Sequence, residues 1–149
     1  MKSKIVSFLI IIVTFGVALA KMANSSKKLI LHWDISGNVT TQGTENLIIL
    51  LPMASVLLLA IFAYFEKNPY KINNLSHIKE TENNTKALVK YIQVTAPLAM
   101  FVILYITICS AKMISMRPLV IMAILTFIIG FYAHTCIKLR ASLSSANKI

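Results

Sequence analysis

Acidic side chains are scarce in this chain, and long stretches of it carry no charge of either sign. The acids are Asp34, Glu45, Glu66, Glu80 and Glu82, too few and too dispersed for the paired carboxylates of general acid–base chemistry. Cys109 and Cys136 are the only cysteines, which excludes a disulfide framework and the paired-cysteine motifs of zinc sites. Of the histidines, His32 falls on the outer side of the apolar runs, whereas His77 and His134 fall on or near the inner side, so His32 cannot meet the other two. Metal ligands must converge within a radius of about 2 Å, so no metal site is expected. No serine–histidine–acid set is supportable and no cofactor pattern is present, so an enzyme is not expected either.

Apolar residues fill the space the charges leave. They make up 57% of the chain against 13% charged, with a mean hydropathy of +0.74, whereas soluble domains carry roughly 25% charged residues. The excess is concentrated in four runs, 5–23, 47–65, 91–111 and 118–137, each near the roughly 20 residues that cross a bilayer. Lys21 is the one Asp, Glu, Lys or Arg among them, and it sits close enough to an end to snorkel to the interface. A segment in lipid must satisfy its own backbone hydrogen bonds, and runs this uniform lack the alternation of barrel strands. The expected fold is therefore an all-α membrane protein of four transmembrane helices in a single domain.

The net charge of +10 does not point to nucleic acid, because the basic residues flank the apolar runs and form no face interleaved with aromatics. Placing both termini inside puts ten of the 15 on the cytoplasmic side (Lys2, Lys4, Lys67, Lys71, Lys79, Lys86, Lys90, Lys138, Arg140, Lys148). Five fall outside (Lys21, Lys27, Lys28, Lys112, Arg117). The excess of positive charge inside selects N-in, C-in. The opening Lys2-Ser3-Lys4, apolar run and Ala18-Leu19-Ala20 also fit a cleavable signal peptide. Retained helix and cleaved leader both leave the segment after Lys21 outside. Cys109 and Cys136 would lie roughly 25 Å apart in depth, beyond bridging distance.

Between the first and second runs lies an outer loop, 24–46, in a connection of about 26 residues that is too long to be a mere link. It reads as an apolar run ending in His32-Trp33, a turn at Asp34-Ile35-Ser36-Gly37-Asn38, and a polar stretch to Glu45. The cytoplasmic loop 66–90 breaks at Asn68-Pro69 and becomes helix-compatible from about Ser76, with Glu82 and Lys86 spaced for mutual support. Its lysines, Lys67, Lys71, Lys79, Lys86 and Lys90, suit anionic lipid or a docked cytosolic partner. The third connection is short, and the tail after Lys138 is expected to fray. Pro52 and Pro97 fall in the first two turns of their runs, where a missing N–H matters least. Within the runs His134 is read as a wetted interfacial residue rather than a coupling site, since ionisable groups at depth mark transport.

The outer loop is where recognition chemistry is expected, at His32, Trp33, Asp34 and Gly37. The stretch from Leu29 to Val39 resembles the signature of the membrane module of unknown function that opens SdpI-type immunity proteins. His32, Trp33 and Gly37 match its pattern, and Pro52 resembles the proline that starts the family's second helix. The chain departs from it at Ile30, Asp34, Thr40 and near Glu45, where the pattern carries Pro, Asn, Asp and Lys. The resemblance covers residues 5–65 and implies protection of a producing cell against an exported membrane-active toxin peptide. In some members it also implies retention of a cytosolic regulator at the membrane. The alternatives are a non-catalytic accessory subunit of a membrane complex and a minimal transporter built by oligomerisation.

Overall fold

The computed structural model describes residues 2–24, 28–72 and 79–146, with side chains to Leu139. Lys27, His77 and Lys148, and the side chain of Arg140, lie outside the described residues. In chain order the elements are α1 (Lys2–Ala23), β1 (Leu29–Trp33), β2 (Val39–Gly43), a 3-10 turn (Glu45–Ile49), α2 (Leu50–Lys67), α3 (Glu82–Ser110) and α4 (Pro118–Ala146). Among the described residues four helices are long and apolar enough to cross a membrane. Four of the hydroxyls inside them are satisfied by their own helices. Thr14, Ser55, Thr107 and Thr135 each donate to the carbonyl four residues back, at 2.8, 3.2, 2.7 and 2.8 Å.

The helix ends follow local chemistry. Asn68 ends α2 by donating its backbone N–H and its side-chain amide to the Tyr64 carbonyl, at 3.0 and 3.1 Å, just before Pro69. Thr81 caps α3, its hydroxyl accepting from Asn84 N at 3.3 Å. At the other end of α3, Lys112 adopts the left-handed conformation at φ 63°. The N–H groups of Lys112 and Met113 then reach back to the carbonyls of Cys109 and Ile108, at 3.0 and 3.1 Å, which closes the helix in a Schellman turn. Pro118 opens α4 at the position where its missing N–H costs nothing.

Helix α3 is central: it packs along α1 and α2 and supports α4. The face that α1 buries is a stripe of Ser7, Ile11, Thr14, Ala18 and Lys21, steps of four and three that keep one side of a helix turned inward. Small side chains dominate that stripe, which lets two apolar helices approach closely where lipid offers no hydrophobic drive. Ala18, Leu29, Ile48 and Ala111 form a buried cluster at the hairpin end, and Leu88 with Leu139 forms another at the opposite end. Helix α4 is the outlier. About 6% of its most apolar window is buried, against 39% for α3.

The structure corrects three expectations. The connection 24–46 is not a plain loop: β1 and β2 pair antiparallel and the 3-10 turn follows, a small addition to a mostly helical chain. The polar tail does not fray at Lys138, since α4 continues to Ala146. Because α3 begins at Glu82, Pro97 lies in mid-helix rather than in its first two turns.

Pro97 has a specific consequence. Proline has no N–H to give the carbonyl four residues earlier, and that carbonyl belongs to Gln93. It is filled from outside the helix by the Ser3 hydroxyl of α1. The Gln93 side chain donates to Glu66 of α2 at 2.9 Å, and Glu66 pairs with Lys4 of α1 at 2.9 Å. One residue of α3 thereby ties together the ends of α1 and α2. Replacing Gln93 by Leu keeps the volume and removes the donor to Glu66. Thermal unfolding in detergent is expected to show a loss of about 1–2 kcal/mol, whereas Glu80→Ala, at an exposed site, should stay within about 0.5 kcal/mol. Equal effects of the two would exclude the tie.

Candidate functional site

The residues singled out between the first two helices lie on the β1–β2 hairpin, but they do different jobs. Asp34 starts the turn. Its Oδ1 accepts from the backbone N–H groups of Ser36 and Asn38 at 2.9 and 2.8 Å, and its Oδ2 accepts from the Asn38 side chain at 2.9 Å. The backbone closes the same turn through Asp34 N to Asn38 O at 2.9 Å and Gly37 N to Asp34 O at 3.0 Å. These donors, the Asn38 side chain foremost, hold the Asp34 carboxyl below its ordinary value of 3.8. Asp34 is thus committed to the turn.

Gly37 is there for two reasons. Its φ of 87° lies where a side chain is strained, and a Cβ at this position would fall 2.5 Å from the Met116 carbonyl oxygen. The turn therefore rests directly on the backbone of the α3–α4 connection. That connection is itself fixed. The Arg117 N–H donates to the Tyr105 hydroxyl at 2.8 Å, and the Lys112 ammonium reaches Gln42 of β2 at 3.2 Å. Trp33, half-buried, lines the crevice of about 290 Å³ between hairpin and connection with Gly37, Val39 and Met113.

His32 does not join Trp33. Pairing shifts register between Ile30 and His32 and again between His32 and Trp33, so the alternation of a regular strand is lost. Leu29 and Ile30 are buried while Leu31 and His32 are exposed. His32 Nδ1 lies 2.6 Å from Thr40 Oγ1 across the hairpin. Of the predicted set, then, His32 faces outward, Trp33 and Gly37 dock the hairpin, and Asp34 shapes its turn. Beside them sits a residue the sequence reading passed over: Ile35, 96% exposed at the tip. With Met116, Leu119 and Met122 it borders a groove of about 560 Å³ at the start of α4.

No protein-family model, curated protein or solved structure matches this chain. The site must be read from its own geometry.

At the opposite end Lys67, Lys71, Lys79, Lys86 and Lys90 are all exposed. Two are engaged: Lys71 donates to the Tyr64 hydroxyl at 3.1 Å, and Lys86 pairs with Glu82 at 2.5 Å as the spacing predicted. An exposed pair of this kind contributes roughly 0.3–0.5 kcal/mol. His134 is exposed on α4. Among the described residues no three His, Cys, Asp or Glu side chains gather into a metal-binding group.

The clearest miss is the network of Ser3, Lys4, Glu66 and Gln93, since charges beside apolar runs were read as orientation signals only. The visible clue was Gln93 four residues ahead of Pro97.

Two outcomes test the docked hairpin. Gly37→Ala should cost about 1–3 kcal/mol and expose 29–43 to limited proteolysis in detergent, while Gly16→Ala, which meets nothing within 4 Å, should not. Because the Asp34 carboxyl is depressed in the folded state, its contribution is complete above the unfolded value and is lost only as pH falls through the still lower folded one. Protease resistance of the hairpin should hold at pH 5 and fail only well below pH 4. Asp34→Ala should fail at neutral pH.

Proposed function

We propose that this chain is an immunity or signalling protein of a bacterial cytoplasmic membrane, oriented N-in and C-in, whose hairpin end meets an exported toxin peptide. The single observation that carries this reading is the construction of that end. A β-hairpin is held to the α3–α4 connection through Gly37 and Lys112, and presents His32 and Ile35 outward beside an apolar groove. A membrane-active peptide is amphipathic, and an exposed apolar tip next to a polar imidazole at the bilayer surface offers both halves of the contact it would need. The His32–Thr40 contact adds support. Thr40 is the position at which the SdpI-type pattern carries an acid, so the pattern's two polar positions face each other across the hairpin. The reading invokes no catalysis and no cofactor.

On the other side, the exposed lysines 67, 71, 79, 86 and 90 would contact anionic lipid or hold a cytosolic regulator. The accessory-subunit reading also draws on an observation: α4 packs on α3 and leaves most of its apolar surface uncovered, as a helix would that completes a larger complex.

A toxin-challenge assay separates these. His32→Ala and Ile35→Glu, both at exposed positions, should each lower survival at least tenfold at unchanged membrane abundance. Lys86→Glu should leave survival intact and release any bound regulator. Unchanged survival of both hairpin variants would remove the hairpin from the mechanism. A stoichiometric membrane partner retained in mild detergent would favour the accessory reading.

A further inference from the structure

Between α1, α2 and α3, at the end away from the hairpin, lies a cavity of about 150 Å³. Its walls are apolar, formed by Leu59, Phe62, Ala63, Ile92 and Ala96. Its polar members are Ser3, Lys4, Ser7, Glu66 and Gln93. Four of these are already engaged with one another: Ser3 donates to the Gln93 carbonyl, Gln93 donates to Glu66, and Glu66 pairs with Lys4. Ser7 stands apart. It is 0% exposed, and its hydroxyl has no hydrogen-bond partner among the described residues.

Thr95 of α3 is the other buried helix hydroxyl without a partner among the described residues, but it does not line this cavity. Thr14, Ser55, Thr107 and Thr135 all turn back on their own helices, and an unsatisfied buried hydroxyl is costly. Ser7 also lies on the face where α1 meets α3, against a space that could hold the missing partner. The size of that space is informative, since a cavity near 150 Å³ with apolar walls admits a molecule as large as benzene. The charges inform too. The Lys4 ammonium and Glu66 carboxylate neutralise each other at 2.9 Å, leaving no uncompensated charge to draw an ion.

We propose that this cavity is a binding site for a neutral amphiphile of about phenol size, its ring against Phe62, Ile92 and Ala96 and its hydroxyl bonded to Ser7. The site lies at the end of the molecule remote from the hairpin and does not depend on the immunity reading. Such a ligand bridges α1 to the α2–α3 pair.

The test uses the full chain in lipid nanodiscs with radiolabelled phenol and radiolabelled benzene, subtracting uptake by empty nanodiscs. Both should bind saturably, phenol the more tightly. Ser7→Ala, which preserves the space, should weaken phenol about five- to tenfold and leave benzene unchanged. Ala96→Leu, which fills the space, should abolish both. Uptake no greater than that of empty nanodiscs, as expected of a cavity holding only water, overturns the proposal. So does phenol binding indifferent to Ser7→Ala, or tighter binding of benzylammonium than of phenol. Ser7→Ala nearly conserves volume, so the result stands even where Ala96→Leu fails to fold.

Discussion

The carbonyl of Gln93 is the point on which the helix arrangement turns. A proline four residues later removes its natural donor, and in a setting poor in water a bare carbonyl is expensive. The Ser3 hydroxyl of α1 supplies the missing bond, while the Gln93 side chain and Glu66 bring in α2. Apolar side chains can slide past one another in lipid at little cost. A backbone acceptor with one available donor fixes the rotation and depth of α1 against α3. Small residues along Ser7, Ile11, Thr14 and Ala18 then allow the close approach that the bond requires.

The other end is organised by a different constraint, the meeting of two turns. Lys112 takes a left-handed conformation that costs a lysine roughly 1 kcal/mol, yet its turn brings the α3–α4 connection beneath the hairpin and its ammonium onto Gln42. Gly37 permits the contact from the opposite side because a glycine has no Cβ to strike the Met116 carbonyl. The hairpin is therefore part of the fold, anchored below by Leu29 among Ala18, Ile48 and Ala111. Its exposed residues, His32 and Ile35, are presented on a fixed base.

The two ends are joined through α3, which shares its faces among α1, α2 and α4. Helix α4 takes the least of it, with Tyr91 meeting Phe131 and Tyr132 at ring-centroid distances of 5.9 and 5.5 Å. Side chains such as Leu119, Leu125 and Ile129 remain uncovered. In lipid that is an ordinary state for an apolar helix, because the surrounding tails are as apolar as its own side chains.

By itself the sequence determined the four helices, because only a helix lets uncharged runs of this length satisfy their own backbone. It also located the turn at Asp34–Asn38, since glycine and asparagine carry their conformational preferences with them. The Glu82–Lys86 pair was legible for the same local reason. What lay beyond local rules was decided by the tertiary structure. Pairing of β1 with β2 follows from register rather than propensity, and the register shifts that separate His32 from Trp33 leave no mark in composition. Pro97 passed as harmless until α3 proved to begin at Glu82. Gly37 resembled half of a turn, and only the approach of Met116, 79 residues away in the chain, gave it a second duty. The cavity beside Ser7 has no sequence signal at all, being a space left where three helices fail to fill one another.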